Sequence, residues 1–254
     1  MNFKPVNALE ESLMKAATEA AHRPQFYRDL LNADVFVLQN KPADSALGKK
    51  TLEADTTIDL VSFERDGKAY LPFFSSLPRL QANIQEEMGY MVLKARDFLS
   101  ITKGTFLVLN PGSDYGKEFT AEEVDSMLDG SIFSADEKTI VEKSTEVMIG
   151  HPSNYPQELA DALATLFKSQ PEVKRAYLAH YINPTQSKAG HTLIAIECSD
   201  SWDKILGDAG VIVRNVKIPD PPVDFLRLTG DGGLDSYFDS TKPFYKKKKL
   251  FGIF

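Results

Sequence analysis

The chain has 254 residues, 43% of them hydrophobic and 26% charged, with a formal net charge of -7 and a sequence pI near 5.2. That apolar content is ample for packed cores, and charge spread along the chain argues against a long disordered region. A net negative surface repels polyanions, which argues against nucleic acid as a partner of the general surface, although a local basic patch stays open.

The length suits two domains of ordinary size. At the N-terminus, MNFKPVNALEESL places acidic residues where a signal peptide needs an apolar run, and no later stretch approaches a membrane span. One cysteine, Cys198, excludes an intramolecular disulfide and an all-cysteine metal site. Together these features predict a soluble, cytoplasmic chain.

From Asn7 to Ala21, Leu9, Leu13, Ala16, Ala17 and Ala20 recur at helical spacing behind Asn7 as N-cap. His22-Arg23-Pro24 interrupts that helix, and Pro24 opens a second one through Leu31. Asp34 to Leu38 reads as a strand, and Ile58 to Glu64 with Lys68 to Phe74 as a hairpin over Arg65-Asp66-Gly67. Ser76 is the expected cap of a helix reaching about Glu87, followed by a strand from Tyr90 to Lys94 and a short helix from Asp97 to Thr102. The stretch TFLVLNPGSDYGKEFTAEEVDSML, Thr105 to Leu128, then supplies a strand, a polar loop and a helix in succession. Thr120 and Glu123 form a capping-box pattern at the start of that helix.

Beyond Gly130 neither period persists, and a domain boundary is expected near Thr139, giving domains 1–139 and 140–254. The second half reads as strand Thr145 to Ile149, helix Gln157 to Lys168, strands Val173 to Ile182 and Thr192 to Cys198, helix Ser201 to Gly207 and strand Val223 to Leu228. Asn154 and Gln157 give a second capping-box pattern. This is an α+β chain, with a central sheet in a mixed α/β first domain and a βαββαβ, ferredoxin-like order in the second. A last helix from Leu234 to Asp239 precedes the tail PFYKKKKLFGIF.

Few residues of the chain form a pattern that carries chemistry. Gly112-Ser113-Asp114-Tyr115-Gly116-Lys117 superficially matches a phosphate-binding loop, but it has three residues between its glycines and Glu118 after the lysine, so it reads as a turn from strand to helix. His22, His151, His180 and His191 show no metal-ligand spacing, and no metal or other cofactor is expected. His180 and His191 could face each other across the hairpin, with His180 more simply a hydrogen-bonded histidine at a strand end. Cys198 shares a face with Ile194 and Ile196 and reads as a buried thiol. Ser75 and Ser76 read as a helix cap. His22 and Arg23, with Phe26 close by, could grip an anion, or Arg23 could pair with a neighbouring carboxylate. In the tail, Phe244, Tyr245, Lys246, Lys247, Lys248, Lys249 and Phe251 form a candidate interaction segment, its aromatic blocks docking on protein with solvated lysines between them.

Three blocks carry a family likeness: LMKAATEAAHRPQFYRDLL from Leu13, LPFFSSLPRL from Leu71 and LNPGSDYGKEF from Leu109. With LATLFKSQPEVKRAYLAH from Leu163 and PFYKKKKLFG near the end, the chain resembles the SseB family of bacterial proteins, named for enhanced serine sensitivity. The resemblance implies two domains and carries over no catalytic residue. It puts emphasis on His22, Arg23, Pro24 and Phe26, and on Asn110, Pro111, Gly112, Gly116 and Lys117.

The residues and the likeness together predict a non-catalytic cytoplasmic adaptor or regulatory protein that binds another protein, with homo-oligomerisation as an option and membrane attachment through the tail disfavoured. The alternative is a small-molecule binder or enzyme of serine or sulfur-amino-acid metabolism that uses the loop from Asn110 to Lys117.

Overall fold

The computed structural model describes residues 3–41, 57–134, 147–184, 189–230 and 232–248. Two compact units divide the chain: Met1–Thr18 with Gln25–Ile132, and Glu19–Pro24 with Phe133–Phe254. Thr139, the expected boundary, lies outside the described residues.

In the first unit, helix α1 (Ala8–Thr18) buries Leu9, Leu13 and Ala16, and Asn7 Oδ1 caps it by accepting from Glu10 N at 2.9 Å. The helix stops short of Ala21. Glu19 is extended, and Ala20–His22 form a separate 3-10 turn whose Ala21 joins the core of the second unit. Helix α2 (Arg23–Asn32) follows, in the first unit from Gln25 onward, with Pro24 in its first turn, where a missing N–H goes unnoticed. Strands β1 (Asp34–Leu38), β2 (Phe63–Arg65) and β3 (Lys68–Phe74), helix α3 (Leu77–Gln81), strand β4 (Tyr90–Lys94), helix α4 (Ala95–Ile101), strands β5 (Phe106–Leu109) and β6 (Lys117–Phe119) and helix α5 (Ala121–Asp129) complete it. Their sheet has the order β4-β1-β3-β5-β6, with β2 paired to β3. The β2–β3 turn puts Asp66 and Gly67 at φ 54° and 69°, the paired positive values that a two-residue hairpin loop requires.

Several local expectations fail here for tertiary reasons. The strand expected from Ile58 pairs with β3 only from Phe63, plus an isolated bridge between Gln39 and Leu60. Helix α3 ends at Gln81 rather than Glu87, and Ser76 gives it no side-chain cap because its hydroxyl is used elsewhere. Thr120 does cap α5, accepting from Glu123 N at 3.2 Å, and Gly130 ends it at φ 85°. The reciprocal half of the capping box is missing, since the Glu123 carboxylate bonds Tyr27 and Lys117 instead.

The second unit contains β7 (Met148–Gly150), α6 (Gln157–Lys168), β8 (Val173–Ile182), β9 (His191–Cys198), α7 (Trp202–Val213), β10 (Val223–Arg227) and β11 (Tyr245–Lys246). The first six follow the expected βαββαβ order along the chain, but the sheet is not the expected ferredoxin-like one: that sheet sets its first strand between the third and fourth with all neighbours antiparallel, whereas β7 pairs with β8 and β9 pairs in parallel with β10. In the sheet, β8, β9 and β10 are neighbours in chain order, while β7 and β11 share the other edge of β8. The β9–β10 pair is parallel, with α7 as its crossover.

Helix α6 buries Leu159, Leu163 and Phe167 against Ala176, Leu178, Ile194 and Ile196. The opposite sheet face packs Tyr177, Tyr181 and Leu193 under Phe238. Phe238 comes from a 3-10 turn, Gly233–Asp239, where a last helix was expected. Pro156 occupies the N-cap position of α6 without a side-chain bond, so the Asn154–Gln157 capping box does not form; Gln157 Nε2 donates to Asp161 instead. Gly207 does not end α7. It admits the Phe133 carbonyl, which would lie 2.1 Å from a Cβ at that position.

Candidate functional site

Parallel strands β3 and β5 end side by side at Phe73 and Leu109, and the carboxyl ends of adjacent parallel strands are where ligands commonly sit in α/β sheets. In this chain the place is filled from within. Glu10, fully buried in the first turn of α1, sets its carboxylate against the residues that leave both strands. Its Oε1 accepts from Ser75 Oγ and Ser76 Oγ, each at 2.8 Å, and from Arg79 Nε at 3.2 Å. Its Oε2 accepts from Arg79 Nη2 at 2.8 Å and from Val6 N at 3.1 Å.

Burial pushes the Glu10 carboxyl up, but the bonds from Arg79, Ser75, Ser76 and Val6 together outweigh it and hold the group below the ordinary carboxylate value.

Asn110 belongs to the same cluster. It is fully buried at φ 50°, a left-handed geometry that asparagine tolerates better than most side chains. Its Oδ1 accepts from Ser75 N at 2.9 Å and its Nδ2 donates to Ser75 Oγ at 2.8 Å. The single Ser75 hydroxyl proton is thereby left for Glu10. Asn7 Nδ2 donates to Ser75 O at 2.8 Å, and Arg79 lies 3.7 Å over the Phe3 ring.

The glycines of the polar loop answer to this packing. Gly112 takes φ 70°, and a Cβ on Gly116 would fall 2.8 Å from Leu109 O and 2.9 Å from Asn110 O. Lys117 bonds Glu123 Oε1 at 2.9 Å, the same oxygen that accepts from Tyr27 at 2.6 Å. Phe26, in the first unit, is buried beside the Tyr27 ring.

His22 and Arg23 belong to the second unit. His22 lies 3.5 Å from Glu19, and Arg23 donates to the Asn215 carbonyl at 3.0 Å. His180 and His191 do not face each other. The β8–β9 register sets His180 opposite Thr192 and His191 opposite Tyr181, on the two faces of the sheet. His191 Nε2 lies 2.7 Å from Asp224, while His180 Nδ1 is buried without a hydrogen-bond partner, 3.9 Å from Asp220. The expected bonding of His180 is thus missing at that nitrogen. Among the described residues no group of three or more His, Cys, Asp or Glu is arranged to hold a metal. Cys198 is buried, and burial pushes its thiol up.

Part of the tail belongs to the fold. Phe244 and Tyr245 pack on Phe167, Tyr245 Oη donates to Phe167 O at 3.0 Å, and β11 extends the β8 edge. Lys246, Lys247 and Lys248 are exposed; Lys249 and Phe251 lie outside the described residues.

A concavity of about 430 Å³ opens in the second unit, a size that suits a bound group. Its floor includes Tyr177 and Phe238, and its rim carries Lys174, Arg175 and Arg227 beside Glu197, Asp235 and Asp239. Arg175 Nε donates to Glu197 Oε2 at 2.6 Å, and Asp235 accepts from Thr229 N and Gly230 N, each at 2.8 Å. Lys174 and Arg175 fall in the family-like block from Leu163, but none of these rim residues read as a site in the sequence. The available signal was charge at the ends of otherwise apolar strands, and only the strand register shows which of those charges meet.

No solved structure matches this chain. Residues 9–126 match the SseB protein N-terminal domain and residues 141–247 the SseB protein C-terminal domain. The chain is 32% identical over 247 residues to Protein SseB of Escherichia coli (strain K12), covering 95% of this chain and 93% of the other, and equally to Protein SseB of Shigella flexneri. The Glu10 cluster and the strands it joins fall within the first matched domain, and the charged cleft within the second. Both domains are present in order along nearly the whole length, so the chain belongs to the SseB family.

Proposed function

We propose that this chain is a non-catalytic adaptor or regulatory protein of the cytoplasm that binds another protein, and that the family likeness links it to serine sensitivity. The observation that carries this reading is the open cleft of the second unit, lined by Lys174, Arg175 and Arg227 together with Glu197, Asp235 and Asp239. Arginine is enriched at protein-binding surfaces, and a rim of mixed charge favours a partner of complementary pattern. Arg175 keeps about half of its side chain in solvent. By contrast, the loop from Asn110 to Lys117, which a small-molecule site in serine or sulfur-amino-acid metabolism would use, has its Asn110 and Lys117 side chains bonded internally.

The test is affinity purification from the source cells with the intact chain and with an Arg175→Glu, Arg227→Glu variant. A specific co-purifying protein whose recovery falls with the variant, and which rebinds the purified chain directly, is the expected result. Identical recoveries from both chains overturn the reading, as does a metabolite that raises the melting temperature of the intact chain but not of the cleft variant.

A further inference from the structure

In the first unit, β4 is an outer strand of the sheet and, among the described residues, pairs only with β1. Residues of a strand alternate in the side to which their N–H and C=O point. Gly89 and Ala95, which flank β4, direct their backbone bonds to the β1 side: Gly89 exchanges bonds with Gln39 and Lys41, and Ala95 N donates to Ala33 O. By that alternation Met91 and Leu93 also point inward, while Tyr90 and Val92 present their amides and carbonyls, and Lys94 its amide, at the free edge; Lys94 is the N-cap of α4, so its carbonyl turns into that helix. Among the described residues none bonds the groups left at the edge.

The strand lacks most devices that keep a sheet edge from pairing. It has no proline, its register with β1 is unbroken, and its one charge, Lys94, sits at the end. Val92, at its centre, is 48% exposed.

We infer that β4 is a self-association edge, on which a second copy of this chain pairs antiparallel about a two-fold axis through Val92. Centred there, Val92 meets Val92, Tyr90 meets Lys94, and Met91 meets Leu93 of the other copy. This register pairs all three outward-pointing residues of each strand and forms about four interchain hydrogen bonds, two between the Val92 pair and one from each Lys94 amide to the Tyr90 carbonyl of the other copy. Shifting the centre to Met91 or Leu93 leaves an outward residue of β4 without an opposite number in the strand. The side chains agree with it: the Lys94 ammonium comes over the Tyr90 ring, an attractive cation–aromatic contact, and two exposed valines cover each other. Such an isologous contact closes on itself and yields a dimer.

The test uses the full-length chain in sedimentation velocity over a concentration series. The intact chain forms a dimer, and Val92→Lys, which sets two ammonium groups against each other at the axis, weakens it by at least about tenfold. Far-UV circular dichroism reports whether the variant is folded. A second variant, Val92→Cys, places two thiols on Cα atoms about 5.5 Å apart, within disulfide reach, and gives a covalent dimer on mild oxidation. Ile101→Cys, at a more exposed position in α4, does not. A chain that stays monomeric, a dimer that Val92→Lys leaves intact, or a Val92→Cys chain that does not cross-link overturns the inference.

Discussion

Replacing Glu10 by glutamine tests the claim that a buried carboxylate fastens α1 to the ends of β3 and β5. The amide keeps the shape and, through Oε1, can still accept from Ser75 and Ser76. At the other position an NH2 group now faces two donors, Val6 N–H and Arg79 Nη2–H, which at present give bonds of 3.1 and 2.8 Å. Hydrogen bonds to a charged group contribute about 1.5–3 kcal/mol each, and removing one partner of a buried ion pair destabilises by about 3–5 kcal/mol. Arg79 keeps 20% of its side chain in water and still donates to Lys4 O at 2.6 Å, so the lower end applies, about 3 kcal/mol. In thermal unfolding followed by circular dichroism that is a shift of about 6–12 °C.

Arg79→Met and the double variant complete a cycle that isolates the pair, with an expected coupling of about 2 kcal/mol. The pH dependence has a definite sign. Because the folded-state pKa of Glu10 is held below its ordinary value, its contribution is full above about pH 4.3, the unfolded value, and is lost as pH falls through the lower folded value. The gap between the intact chain and Glu10→Gln therefore narrows in acid. A loss below about 1 kcal/mol at neutral pH, or a gap that widens in acid, refutes the reasoning.

Gly116→Ala forces a Cβ against Leu109 O and Asn110 O and destabilises by about 1–3 kcal/mol. Gly150→Ala, with open space around its Cβ, changes stability by less than about 0.5 kcal/mol in urea titration. The Cys198 thiol, buried and pushed up by that burial, reacts slowly with a disulfide reagent in the native chain and at once in denaturant; rapid native reaction contradicts its placement. Tyr245→Ala removes the ring on Phe167 and the bond to Phe167 O and costs about 2 kcal/mol, less than a fully buried aromatic. Lys246→Ala and Lys248→Ala, both exposed, stay within about 0.5 kcal/mol of the parent in the same titration.

What the sequence by itself determined is what neighbouring residues decide among themselves. The bounds of β1, β3, β4, α6 and β8 match the expected spans, because apolar period and turn residues act over a few positions. Asp66-Gly67 announces its hairpin, Thr120 its helix, and the two-domain division follows from length and the loss of pattern past Gly130. Tertiary structure alone decided where polar groups were drawn away from local roles. Ser76 left its cap for Glu10, and Glu123 left its capping box for Tyr27 and Lys117, because a buried charge with several donors outweighs one exposed cap. Glu10 itself was legible only as a charge three residues before Leu13, on the apolar stripe of α1. The separation of His180 from His191 and the meeting of Arg175 with Glu197 both depend on the β8–β9 register, in which a shift of one residue would exchange the faces. The short strands β6 and β11 carry too few residues to show a period, and they exist because an edge of β5 and of β8 was there to receive them.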